Sequence, residues 1–328
     1  MQTEPRAREA STSSSIGPET PFCVLINRGS GSRGAREAVR SIGTILGGAG
    51  RAHEFFVVDH PKQLRATVAR AADVATRRGG ALVVVGGDGT IHGVAPVALE
   101  AGIPLGIVPR GTFNYSSRAH GIPLVLEDAT RALLDARLKP VQVGMVNDRV
   151  FLVNASLGLY RQLLQDREQF KQRLGRKRLV ALWAALHTIA RNKPKLELDI
   201  AHDQTRERVR ATTLWVGNNP LQLTQVGLPE ADAIGTRRLA AVLVPPLGTA
   251  ALFSLGVRGA LRRLGDADAV RDFAFQRMTV TPSKGRGDRL IKVATDGEIC
   301  WMRMPLTFSV APRTLKLMVP READGPTG

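Results

Sequence analysis

The apolar run Ala81-Leu82-Val83-Val84-Val85 ends in Gly86-Gly87-Asp88-Gly89-Thr90, and this junction limits the fold more than any other stretch of the chain. Five apolar, valine-rich residues predict a buried strand. Glycines directly after it remove the Cβ atoms that would hold a phosphate away from the backbone. The stretch from Thr90 to Leu99 can open a helix whose first N–H groups point to the same place. Asp88 is the odd member, because a carboxylate repels phosphate. It fits if it meets Mg²⁺ or a water that bridges to phosphate. A ligand-free turn between strand and helix is the plainer alternative, and one glycine-rich turn does not decide between them.

Two further clusters shift the balance. Pro109-Arg110-Gly111-Thr112-Phe113-Asn114 follows the short apolar run 104–108, and Asn27-Arg28-Gly29-Ser30-Gly31-Ser32 follows the run 22–26. In an open parallel sheet the ligand lies beyond the carboxyl ends of the strands. Small hydroxyl and amide side chains there can bind phosphate or ribose without crowding it.

Strands alternate with helices through the first part. Strands are predicted over 22–26, 54–58, 81–85 and 105–108, and helices over 35–47, 62–78, 91–101 and 126–136. This pattern predicts a doubly wound parallel sheet. After Lys139-Pro140 it changes, with strand-like segments at 141–146, 149–156, 195–201, 208–216, 238–243, 272–280 and 290–294. Val146-Asn147-Asp148-Arg149 reads as a hairpin turn. The expected architecture is therefore α/β plus mostly β: a nucleotide-binding domain over 21–140 and an antiparallel β-rich substrate domain over 141–304. The main helical exceptions in the second are 159–192 and 247–264.

Residues 1–20 carry four serines between 11 and 15 and no apolar core, and read as a disordered tail without a signal-peptide h-region. Two cysteines imply no disulfide framework and fit a reducing cytoplasm. The longest apolar stretch, 179–190, is too short to span a bilayer. The net charge of +17 points to an anionic partner, although arginine-rich solvated faces account for part of it. Basic residues between Arg161 and Arg178 run into Leu179-Val180-Ala181-Leu182-Trp183, a pattern suited to an anionic membrane surface or to a helix packed with one charged face outward. With aromatics at 5%, no nucleic-acid partner is expected. The six histidines lack metal-ligand spacing, and helix surface is the simpler reading of His92.

The ordered set Asn27…Ser30-Gly31, Gly86-Gly87-Asp88-Gly89-Thr90, Pro109-x-Gly111-Thr112-x-Asn114 and Asp296-Gly297-Glu298 resembles the diacylglycerol kinase catalytic domain family, and within it the soluble bacterial lipid kinases. The resemblance runs from Pro21 to Pro320. It implies ATP as phosphate donor, Mg²⁺, and a peripheral position on the cytoplasmic membrane face. It also implies a chain that returns to the first domain over 305–320, and a homodimer, because related enzymes are often dimers.

By the same resemblance, Gly86, Gly87, Gly89 and Thr90 would line the triphosphate, with Asp88 at the metal. Asn27, Ser30, Gly31, Gly111, Thr112 and Asn114 would complete the nucleotide site. Glu298 would be the general base and Asp296 would orient it or hold water; Asp88 is the alternative base. Asn154 to Gly158 would line the cleft. Three departures stand out: Arg28 replaces a proline, Tyr115 stands where many relatives have an acid, and Thr236-Arg237 stands where some hold a structural metal with Asp-Gly. A metal there would need Glu230 or Asp232. The leading function is an ATP-dependent lipid kinase. The alternatives are an NAD-kinase-like phosphotransferase and a non-catalytic nucleotide or lipid sensor.

Overall fold

The computed structural model describes residues 15–28, 32–158, 196–227, 229–248, 251, 270–283 and 289–321. The apolar runs of the first part become β1 (Phe22–Asn27), β2 (His53–Val58), β3 (Ala81–Gly86) and β4 (Leu105–Pro109). Between them lie α1 (Ser32–Gly48), α2 (Leu64–Arg77) and α3 (Asp88–Ala101), followed by α4 (Tyr115–Arg118) and α5 (Leu126–Leu134). Every residue of β3 and β4 is buried, as strands covered on both faces must be. α1 packs on α5, and α2 on α3.

These strands form one six-stranded sheet in the order β2-β1-β3-β4, completed by β18 (Leu315–Val319) and β5 (Arg137–Val141). β1 to β4 pair in parallel, β18 adds parallel to β4, and β5 runs antiparallel at the edge. The order reverses between β1 and β3. Asn27 and Gly86, at the carboxyl ends of those two strands, therefore sit at the topological switch point.

The remaining strands make two further six-stranded sheets. One contains β6 (Gly144–Val146), β7 (Arg149–Phe151), β9 (Leu196–His202), β10 (Thr205–Ala211), β14 (Arg277–Pro282) and β17 (Leu306–Val310). The other contains β8 (Asn154–Gly158), β11 (Thr213–Gly217), β12 (Leu239–Val244), β13 (Arg271–Phe275), β15 (Leu290–Thr295) and β16 (Glu298–Arg303). Their inner faces share one core that includes Phe151, Leu157, Ile200, Leu214, Phe275 and Phe308. The first sheet and its helices enclose a separate large core. The expected mixture of a parallel α/β sheet with an antiparallel β-rich part is thus the observed one.

Four local expectations need correction. The segments 208–216 and 272–280 are not single strands: each changes sheet midway, at Thr212 and Gln276. The segment 149–156 likewise breaks into β7 and β8. Of the two C-terminal strands, β18 alone returns to the first sheet; β17 pairs with β14 and β6. Finally, residues 15–20 are not part of a loose tail. Ile16 is buried, and the Arg51 guanidinium donates to the carbonyls of Gly17, Pro18, Thr20 and Leu134. The helical segments expected over 159–192 and 252–264 lie outside the described residues. Among the described residues, no helix is long and apolar enough to cross a membrane.

Candidate active site

Three strand-end loops meet at the switch point. Arg110 N donates to Gly86 O at 2.8 Å, which sets the second glycine loop against the first. A Cβ on Gly111 would lie 2.8 Å from Gly87 Cα and 2.7 Å from Asn114 Oδ1, so the two backbones touch where no side chain fits. A Cβ on Gly86 would meet Thr90 at 2.8 Å. From the β1 end, Asn27 Nδ2 donates to Thr90 Oγ1 at 3.1 Å. The structure therefore brings together Asn27, Gly86, Gly87, Thr90, Gly111 and Asn114. Gly89 and Thr112 are exposed beside them, with open space around Gly89. Ser30 and Gly31 lie outside the described residues.

Asn114 closes its own loop. Its Oδ1 accepts from Gly111 N at 2.9 Å and its Nδ2 donates to Gly111 O at 3.0 Å, with φ at 49°. Both ends of the amide close the loop, and asparagine tolerates this left-handed backbone better than most residues. Arg28, in place of a proline, pairs with Asp59 at 2.6 Å and ties the first loop to the end of β2. Arg110, not singled out from the sequence, lies against the first turn of α1: a Cβ on Gly34 would be 2.9 Å from its Nη2.

Asp88 opens α3, after Gly87 as N-cap. Its carboxyl faces the backbone N–H groups of Asn114, Tyr115 and Ser116. Burial nevertheless dominates and raises its pKa, with the nearby Asp296 adding to the rise. Its Oδ1 is buried and has no hydrogen-bond partner among the described residues. An orphaned carboxylate oxygen at a helix N-terminus, among glycine backbones, fits a cation or a bound water. Among the described residues no cluster of three or more His, Cys, Asp or Glu could hold a metal. A cation here would therefore draw its other ligands from phosphate and water, the usual habit of Mg²⁺.

Asp296 and Gly297 form the turn between β15 and β16, with φ of 48° and 89°, and Glu298 opens β16 opposite Thr295. Positive φ at both central residues is what a tight two-residue hairpin requires. The turn sends the two carboxylates apart. Asp296 points inward: Oδ2 accepts from Leu152 N at 2.7 Å, and Oδ1 from Val153 N and Asn154 N at 2.8 and 2.9 Å. His92 Nδ1 lies 2.7 Å from its Oδ2, both side chains being at most 5% exposed. Asp296 thus straps the β7–β8 connection and meets α3 from the other core. His92, read as helix surface from the sequence, is buried there because it lies one turn beyond Asp88 on the same face.

Glu298 points outward and pairs with Arg149 at 2.9 Å. The same arginine donates from Nε to Thr295 Oγ1 at 3.0 Å. Glu298, Arg149 and His92 border a cleft of about 970 Å³ between the two cores, with Leu64, Pro96 and Val97 on one wall and Met145, Trp301 and Met302 on the other. Arg149 was not apparent in the sequence; its spacing in a hairpin carries no signal of its own. The segment Asn154 to Gly158, expected at the cleft, is instead the fully buried β8. Asn154 Nδ2 donates to Gln222 Oε1 at 2.9 Å.

At the departure noted around Thr236, Glu230 sits against Asp272. Burial and that neighbouring carboxyl push the Glu230 pKa up to about 7. Its Oε2 is buried without a hydrogen-bond acceptor's usual donor among the described residues.

Comparison with known proteins agrees with the motif reading. Residues 21–146 match the family described as diacylglycerol kinase catalytic domain. An uncharacterized protein of Synechocystis sp. is 26% identical over 277 residues, which is 82% of this chain and 62% of that one. The diacylglycerol kinase of Bacillus subtilis is 35% identical over 103 residues, 29% of this chain and 33% of that one. The matched segments thus span less than two thirds of these curated relatives. A crystal structure of a diacylglycerol kinase from Bacillus anthracis shares the fold, with a TM-score of 0.65 at 16% identity over 91% of this chain and 96% of that one.

Proposed function

We propose that this chain, whose residues 21–146 match the family described as diacylglycerol kinase catalytic domain, is an ATP-dependent lipid kinase that phosphorylates a hydroxyl of a diacylglycerol-like or sphingoid lipid at the membrane surface. One observation carries the reading: the buried Asp88 Oδ1, without a hydrogen-bond partner among the described residues, where the ends of β1, β3 and β4 meet, one helical turn from a cleft with both apolar and charged walls.

The triphosphate lies against the Gly86–Thr90 backbone, where the first N–H groups of α3 and the helix dipole favour anions. Asp88 would hold Mg²⁺, whose chemistry there would be to neutralise charge on the phosphate oxygens. Asn27 fixes Thr90, and the Asn114 amide fixes Gly111, so the cradle is set before ligand arrives. The lipid hydroxyl enters along the cleft and its oxygen attacks the γ-phosphorus. The bond from that phosphorus to the β,γ-bridging oxygen breaks, ADP leaves, and the hydroxyl proton passes to Glu298. Arg149 keeps Glu298 at the cleft wall. Asp296, saturated by donors, acts as a positioning residue rather than a base.

Transfer of labelled phosphate from ATP with Mg²⁺ into diacylglycerol, sphingosine, ceramide, phosphatidylglycerol and NAD tests this. A labelled lipid should form, and Asp88→Asn and Glu298→Gln should each lower its rate by at least about a hundredfold. Label in NAD alone would establish the soluble-substrate alternative. ATP binding with no transfer to any acceptor would favour a sensor.

A further inference from the structure

The β15–β16 hairpin carries two exposed large apolar side chains, Leu290 at 56% and Trp301 at 63% exposure. In the register, Leu290 faces Arg303 and Lys292 faces Trp301. Side chains alternate across a strand, so these four share one face. Lys292 Nζ lies 4.9 Å above the Trp301 ring. Arg289, immediately before β15, is exposed as well, and β16 is the outer strand of its sheet. Trp301 borders the cleft on one side. On the other it borders a second hollow of about 410 Å³, which Leu290, Lys292 and Arg289 also line.

A single exposed leucine needs no explanation. An exposed tryptophan and leucine set among basic groups do, because both would be better placed at an apolar interface. The hollow itself is lined by two basic side chains, Arg289 and Lys292, against one acid, Glu197, which pairs with Arg210 at 3.6 Å; on the cleft side Glu298 is paired with Arg149. Tryptophan rings and lysine stems suit the headgroup region of a bilayer, where the ring meets acyl carbon and the ammonium meets lipid phosphate.

We infer that this hairpin face is the surface by which the protein lies on an anionic bilayer, with Trp301 and Leu290 among the headgroups and Arg289 and Lys292 against their phosphates. The inference deepens the lipid-kinase reading and rests on it for its purpose, since it sets the cleft mouth on the membrane. A lipid could then slide from the leaflet past Trp301 toward Glu298 without crossing water.

The test is co-sedimentation of the full chain, without nucleotide, with vesicles of phosphatidylcholine alone or mixed with phosphatidylglycerol. Binding should require phosphatidylglycerol. Lys292→Glu should weaken it roughly tenfold, because it both removes and reverses a charge at the surface. Trp301→Ser and Leu290→Ser should weaken it severalfold, and Trp301→Phe should retain most of it. The four variants change three positions, with Leu290 and Trp301 exposed and Lys292 half-buried, so unchanged thermal unfolding confirms that the variants are folded; if a serine variant unfolds early, Lys292→Glu and Trp301→Phe carry the comparison. Equal binding to neutral vesicles, no binding at all, or variants that bind as the parent does would overturn the inference. So would variants that break an oligomer while leaving vesicle binding intact, because the face would then meet protein. Vesicle binding without any lipid phosphorylation would leave this inference standing and remove the kinase reading.

Discussion

Asp88 and Asp296 lie close enough to raise the pKa of the first, and backbone N–H groups face both, yet only Asp296 has both of its oxygens bonded. Asp296 receives three backbone N–H groups and touches His92, so its burial is compensated. Asp88 keeps a buried oxygen with no hydrogen-bond partner among the described residues. A buried carboxylate without donors costs stability unless something else satisfies it. A saturated one contributes to the fold. On this difference rest the two proposed roles, a ligand for Asp88 and architecture for Asp296, although both belong to signature motifs.

The sharpest way to break the comparison is Asp296→Asn. The amide nitrogen would face backbone donors, leaving at least one buried N–H without an acceptor. Urea unfolding should show a loss of about 3 kcal/mol. A loss no larger than that of an average surface change would mean that Asp296 is not a strap.

Next in size is Gly111→Ala, which places a Cβ against the Gly87 backbone. The two glycine loops must separate, at a cost of about 1–3 kcal/mol. ATP affinity should fall with stability, as read by nucleotide titration beside equilibrium unfolding. Unchanged affinity would show that the contact between the loops does not shape the nucleotide site.

The smallest effect concerns Glu230, a carboxyl whose environment resembles that of Asp88 rather than Asp296. Its folded pKa, about 7, lies above the ordinary glutamate value of 4.5, so the folded state holds the proton more tightly. Stability from this group is present below pH 4.5 and is lost as pH rises through about 7. Glu230→Gln should flatten that decline in melting temperature across the same window. A parent whose melting temperature rises over that window, and a variant that follows it, would contradict the assignment.

Much of the first sheet was legible because its strands are continuous apolar runs ended by glycine, a pattern with few other outcomes. The sheet changes at Thr212 and Gln276 were not, since a strand that turns a sandwich corner keeps its apolar alternation on both sides. The glycine loops declared a site; how Asn114 closes one of them depends on a φ of 49° that no spacing reveals. Asp-Gly-Glu announced two carboxylates but not their divergence, which follows from the β15–β16 hairpin and from donors 142–144 residues away. Ile16 and Arg51 show the same limit: the segment 15–20 looks unstructured until the arginine that gathers its carbonyls is placed beside it.

The central claim is that Asp88 is reserved for ligand while Asp296 serves the fold. Asp88→Asn, assayed in parallel for lipid phosphorylation and thermal unfolding, tests it most directly. At least a roughly hundredfold loss of transfer is expected, together with a melting temperature lowered much less than that of Asp296→Asn, because one Asp88 oxygen has no hydrogen bond to lose whereas both Asp296 oxygens are bonded. Retained transfer, or a melting temperature lowered as far as that of Asp296→Asn, would contradict it.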